Sequence, residues 1–78
     1  MTQTIHMKLD ARGLSCPLPI LKTKKALSQL NQGELLEIIS SDKGSLKDLS
    51  SFCDQMGHEL ISSIANNDEF TFIVKKIS

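Results

Sequence analysis

The chain has two prolines, Pro17 and Pro19, and both fall in the run Leu14-Ser15-Cys16-Pro17-Leu18-Pro19-Ile20-Leu21. Proline has no N–H and a fixed φ, so a closely spaced pair is kept out of helix and sheet interiors but fits the first turn of a helix. The apolar residues downstream recur at helical spacing, and Pro17 is therefore expected as the first helical residue, where its missing N–H would have had no intrahelical partner. Cys16 then becomes the N-cap, at the positive end of the helix dipole, where thiolate is favoured over thiol. Pro19 removes one of the usual capping donors and leaves the Leu18 N–H for the sulfur, so the expected anion stabilisation is modest. The prolines supply rigidity: the residue before a proline avoids the helical region, and the first turn beyond it is stiff. Cys16 is the candidate nucleophile of the chain.

The remaining hydrophobic pattern sets the order of elements. Ile5-His6-Met7-Lys8-Leu9 alternates as a half-buried strand with Ile5, Met7 and Leu9 inward, and Asp10 to Ser15 reads as a connection. A helix from Pro17 to about Asn31 is closed by Asn31-Gln32-Gly33, with the glycine available for a left-handed cap. Leu35 to Ser40 is apolar on both faces and reads as a central strand, followed by the turn Ser41-Asp42-Lys43-Gly44. Ser45-x-x-Asp48 resembles a capping box opening a second helix that ends near Met56-Gly57, with Leu46, Leu49, Phe52, Cys53 and Met56 along one face. Strands around 58–65 and 69–77 flank the hairpin turn Asn66-Asn67-Asp68, with Phe70, Phe72 and Val74 directed to the core. The expected architecture is one domain over residues 1–78. Its class is α+β: a two-layer α/β sandwich in βαβαββ order, with a four-stranded mixed sheet and both helices on one face.

Composition excludes several classes of function. A chain of 78 residues with 40% hydrophobic and 23% charged side chains is globular, and no apolar run is long enough to span a bilayer. Nine basic and nine acidic side chains cancel, which removes any global pull toward nucleic acid or membrane. Met1-Thr2-Gln3-Thr4 lacks the pattern of a secretory signal, so the expected location is cytoplasmic and the expected thiols are free. Cys16 and Cys53 form no CxxC and no clustered ligand set, so neither a zinc site nor a thioredoxin motif is written here, and no metal or cofactor is expected. Cys53, inside an apolar stripe, reads as a small buried hydrophobe. His6 and His58 read as structural or surface residues without a Cys–His pattern.

Locally the charge is uneven. From Ala11 to Gly33 there is no acid, while Arg12, Lys22, Lys24 and Lys25 all fall there. Ile20, Thr23, Ala26, Leu27 and Leu30 take the sheet side of the first helix, which leaves Leu18 and Leu21 on the outside beside Lys22 and Lys25. Those four residues form either a partner-docking surface or an ordinary solvated face.

The residues Leu9-Asp10-x-Arg12-Gly13-Leu14-x-Cys16-Pro17-x-Pro19, then Lys24-Lys25-Ala26-Leu27 and Phe52-Cys53-x-x-x-Gly57-His58-x-Leu60, resemble the TusA/SirA-like family of small sulfur-carrier proteins over nearly the whole chain. The resemblance implies that Cys16 accepts a sulfane sulfur as a persulfide and passes it on, with Pro17 and Pro19 as the motif's positioning residues. It implies a donor such as a cysteine desulfurase or a rhodanese-like protein. It also implies a downstream acceptor protein, in some relatives leading to a tRNA-modification complex that thiolates wobble uridine. The turn Ser41-Asp42-Lys43-Gly44 departs from the acidic, often proline-containing turn of many relatives, so the resemblance does not imply that partners recognised through that turn are shared.

Arg12 is placed either to support a sulfur anion or to pair with Asp10. A monomer is expected, since no long apolar interface is evident. Two rivals are kept: a non-enzymatic regulatory or RNA-binding module, and a redox protein using both cysteines. The first lacks tyrosine and tryptophan for base stacking, and the second needs Cys53 within disulfide reach of Cys16.

Overall fold

The structure is a computed structural model that describes residues 5–15 and 17–77. In chain order the elements are β1 (Met7–Ala11), α1 (Leu18–Ser28), β2 (Leu35–Ser40), α2 (Ser45–Met56), β3 (Glu59–Asn66) and β4 (Glu69–Lys75). The strands form one sheet in the order β1-β2-β4-β3, with β1 parallel to β2 and the other pairings antiparallel. α1 packs on β1 and β2 while α2 packs on β3 and β4, giving the expected two-layer βαβαββ sandwich with a mixed sheet.

Periodicity places the core. Met7, Leu9 and Ala11 turn toward the helices, as do Leu36 and Ile38 of the fully paired β2 and Phe72 and Val74 of β4. They meet Ala26, Leu27 and Leu30 from the α1 segment and Leu49, Phe52 and Cys53 from α2. Each large apolar side chain removed from water here contributes about 1.5–3 kcal/mol.

Four local expectations require correction. The first strand runs from Met7 to Ala11, two residues later than the alternation suggested. Its ladder pairs Met7 with Leu36 and continues through Asp10 to Ala11 opposite Ser40, so Asp10 belongs to the strand. α1 ends at Ser28, and its closing residue Gln29 stays right-handed, with its N–H on the Ala26 carbonyl. Gly33, at φ 87°, instead serves the turn into β2, where its N–H donates to the Lys76 carbonyl at 2.6 Å. The Lys76 ammonium takes over the end of the helix segment by donating to the Leu30 carbonyl at 2.6 Å.

No capping box forms on α2. Gly44 is the N-cap, and the Ser45 hydroxyl is buried against the Ser40 hydroxyl at 2.6 Å, which removes it from the helix end. Because Ser45 occupies the buried arc with Leu49, Phe52 and Cys53, Leu46 and Met56 lie exposed. Gly57 closes the helix at φ 79° in the expected left-handed conformation. The fourth correction, at the start of α1, bears on the functional site.

Candidate functional site

The first turn of α1 starts one residue later than expected. Leu18 is the first helical residue and Pro17, at φ −97° and ψ 13°, is the N-cap. The reason is a turn ahead of the helix: the Leu18 N–H donates to the Ser15 carbonyl at 2.9 Å, and the first helical bond runs from the Leu21 N–H to the Pro17 carbonyl at 3.1 Å. The Leu18 donor is thus committed to backbone and is not the sulfur-capping group that the sequence suggested. Cys16 itself lies outside the described residues; its neighbours on both sides do not.

Those neighbours are tied down. Gly13, at φ 81°, donates its N–H to the Ser41 hydroxyl at 2.8 Å, and the Leu14 N–H reaches the Ala11 carbonyl at 3.3 Å. These bonds pin the connection from β1 to the end of β2. Pro19 is buried, and its carbonyl accepts the Thr23 hydroxyl at 2.7 Å, while Pro17 is exposed. One proline therefore anchors the first turn on the core side and the other meets solvent. No acidic residue lies in that turn to offset the positive helix end.

Arg12 is clasped by two carboxylates. Its Nε and Nη2 donate to Oδ1 and Oδ2 of Asp10 at 3.0 and 3.1 Å, and its Nη1 donates to Oε2 of Glu69 at 3.3 Å. Hydrogen bonds from the Arg12 side chain, then from its backbone N–H, hold the Asp10 carboxyl below its ordinary pKa; Arg12 is in turn raised, chiefly by Asp10. All three side chains are solvent-exposed, and the fork–fork geometry fixes orientation more than it adds stability.

Lys22 and Lys25 line a groove of about 190 Å³ between α1 and β1, together with Met7, Leu9, Ala26 and Gln29. Neither lysine has an ion-pair partner among the described residues. Leu18 and Leu21, 45% and 55% exposed, stand outside that groove. The four candidate docking residues thus divide into a cationic groove wall and an exposed apolar pair.

The second cysteine is chemically quiet. Cys53 is 2% exposed among Leu49, Phe52 and other core side chains, and burial pushes its thiol up to about 11. The histidines are occupied in structure: Nδ1 of His6 accepts the Leu35 N–H at 3.1 Å and Nδ1 of His58 accepts the Ile77 N–H at 3.2 Å. Burial, and then the charge of Lys76, lowers the His58 pKa. Among the described residues no group of His, Cys, Asp or Glu could hold a metal ion, and no helix is long and apolar enough to cross a membrane.

Sequence reasoning missed Ser41 and Glu69. Ser41 is a polar residue just after a central strand, a weak signal, and Glu69 is far from Arg12 in the chain, so no local pattern reports it.

Similarity to known proteins follows the same residues. The model of the family described as sulfurtransferase TusA matches residues 7–76. The sulfur carrier protein TusA of Allochromatium vinosum is 46% identical over 69 residues, which are 88% of this chain and 91% of that protein. YrkI of Bacillus subtilis is 41% identical over 68 residues, 87% of this chain and 91% of its own. Among solved structures, a SirA-like protein from Desulfitobacterium hafniense superposes with a TM-score of 0.80 over 92% of this chain and 99% of its own, a likeness of fold at 23% identity. With a family match spanning both sheet edges, both helices and the Cys-Pro-x-Pro run, the chain belongs to the TusA family of sulfur-carrier proteins.

Proposed function

We propose that this chain, as a single-domain cytoplasmic carrier, holds sulfur on Cys16 as a persulfide and relays it between a donor and an acceptor protein. The observation that carries the proposal is elimination within a sulfur-carrier family: the chain has two cysteines, and Cys53 is buried with its thiol pushed up to about 11. Cys16 remains, flanked by residues whose backbone is pinned at Gly13, Leu14 and Leu18.

The chemistry balances without an added oxidant. The Cys16 thiolate attacks the terminal sulfur of a donor persulfide; the donor S–S bond breaks, the donor leaves as thiolate, and a new S–S bond forms on Cys16. Onward transfer repeats the exchange with an acceptor thiolate. The positive end of α1, free of acid, favours the anionic sulfur in both steps. Pro17 and Pro19 fix the approach of the chain to that end. Arg12 is engaged by Asp10 and Glu69, which offset its charge, so its part is to hold the loop before the cysteine. The donor is of the cysteine desulfurase or rhodanese-like type, met by the surface of Leu18, Leu21, Lys22 and Lys25. The acceptor pathway leads toward 2-thiolation of tRNA wobble uridine.

The rivals have less support. Phe52 and Phe72 are buried and Phe70 is half-buried, so the described residues present no aromatic platform for RNA. A two-cysteine redox mechanism would need a thiol that the core holds protonated.

Intact mass spectrometry of reduced protein, after incubation with a cysteine desulfurase and cysteine, tests the proposal. Wild type and Cys53→Ser should each gain one sulfur atom that reductant removes, and Cys16→Ser should gain none. Equal uptake by folded Cys16→Ser, or no uptake from desulfurase and rhodanese donors alike, would overturn it.

A further inference from the structure

We infer that β3 is a self-pairing edge, through which two copies of this chain join antiparallel about a two-fold axis at Ile64 and continue one sheet into the other. This surface is separate from the sulfur site, and the sulfur proposal neither supports it nor depends on it.

The sheet has two edges, and they differ in charge. β1 carries Lys8 and Asp10, and α1 lays Lys22 and Lys25 alongside it. A second copy pairing there would bring both pairs of lysines together, with no acid between Ala11 and Gly33 to offset them. On β3 the situation is reversed. Residues 60–67 carry no ionisable side chain and no proline, two of the devices by which edge strands avoid pairing; a third, a bulge-type irregularity, is confined to Leu60–Ser62, and Ile64 beyond it is 60% exposed.

The register follows from the ladder. Pairing of β3 with β4 is irregular between Leu60 and Ser62 and regular from Ser62 to Asn66, so the stretch able to accept another strand is centred on Ile64. Antiparallel pairing about that centre sets Ile64 against its own copy, Ser63 against Ala65 and Ser62 against Asn66, and no like charges meet. Within one chain Ile64 lies opposite Thr71, which lies opposite Ile39. The two-fold axis therefore joins two Ile39-Thr71-Ile64 rows into one strip across the open face of the sheet. An isologous contact of this kind closes at two copies. It is short, and the association it gives is weak and concentration-dependent. The loop that leads to Cys16 follows β1, at the opposite edge of the sheet, and from it Arg12 reaches Glu69 at the start of β4.

Sedimentation velocity on the full chain, in reductant to exclude intermolecular disulfides and up to about 1 mM, tests the inference. Wild type should shift from monomer toward dimer as concentration rises. Ile64→Lys and Ile64→Glu, each checked for native circular dichroism, should each associate at least about tenfold more weakly, because like charges then meet at the axis. An equimolar mixture of the two should associate again, since opposite charges then face each other. Wild type that stays monomeric throughout the range, or Ile64→Lys that dimerises as well as wild type, would overturn the inference. A mixture that remains monomeric would overturn the register at Ile64.

Discussion

α1 and α2 lie on the same face of one sheet, yet they are held in different ways. α2 starts on a buried pair of serine hydroxyls, ends on a left-handed glycine and turns Leu49, Phe52 and Cys53 into the core. Neither helix has a side-chain cap, but α1 starts on Pro17 with no acid in its first turn, where α2 has Asp48, and it exposes Leu18, Leu21 and two lysines without ion-pair partners among the described residues. Each helix is associated with one of the two cysteines. Cys53 lies in the buried arc of α2, where its thiol is kept protonated, whereas the proposed sulfur carrier, Cys16, precedes α1 in the sequence.

Native-state alkylation should break the comparison most sharply if it is wrong. A thiol at about 11 has roughly a hundredfold less thiolate near neutral pH than one at the reference value of 9.0, and burial adds steric protection. In folded wild type, iodoacetamide should modify Cys16 at least about a hundredfold faster than Cys53, with the two rates converging in denaturant; peptide mapping over time reads both. Comparable native rates would remove the contrast.

Stability gives the next largest difference. Leu49→Ala, at a fully buried position of α2, should cost about 2–5 kcal/mol, while Leu21→Ala on α1 should stay within about 0.5 kcal/mol. Urea titrations measure both, and a large loss at Leu21 would mean that the α1 surface is part of the core.

How much of this contrast the sequence discloses depends on where each interaction lies. The central strand Leu35–Ser40 and the alternation of Phe70, Phe72 and Val74 are local periodicities that appear in the structure as their spacing dictates, while of the helical stripe Leu46, Leu49, Phe52, Cys53 and Met56 only the middle three are buried. The start of α1 is not legible to the residue, because the turn that displaces it is closed by two backbone groups, the Ser15 carbonyl and the Leu18 N–H. Ser45 misleads for a related reason. Its sequence context fits a cap, but a hydroxyl from the adjoining strand competes for it in the fold. The Arg12–Glu69 contact and the groove joining Met7 and Leu9 to Lys22 and Lys25 require the sheet order and the placement of α1, which no single segment carries.

Alkaline titration sharpens the comparison further. The Cys53 thiol sits above its reference value in the folded state, so below about pH 9 it is protonated whether the chain is folded or not. As pH rises from about 9 toward about 11 the unfolded chain loses that proton first and binds fewer protons than the native state, and stability falls. The loss should be on the order of 2 kcal/mol by urea titration, and Cys53→Ala should flatten that part of the profile. A profile unchanged by that substitution would contradict the burial of the thiolate-forming group.

The smallest expected effect concerns the α1 surface. Lys22→Glu combined with Lys25→Glu should lower the rate of sulfur transfer from a desulfurase by about tenfold, with Cys16 alkylation unchanged. Unchanged transfer kinetics would remove the lysine wall from partner docking.

The central claim, that sulfur travels on Cys16 alone, is tested most directly in wild-type protein with both cysteines present. The protein is loaded with sulfur by a desulfurase and cysteine, its persulfides are alkylated in the native state, and the digested peptides are sequenced by mass spectrometry. The account predicts an added sulfur only on the peptide that contains Cys16. Added sulfur on the Cys53 peptide at a comparable level would contradict it.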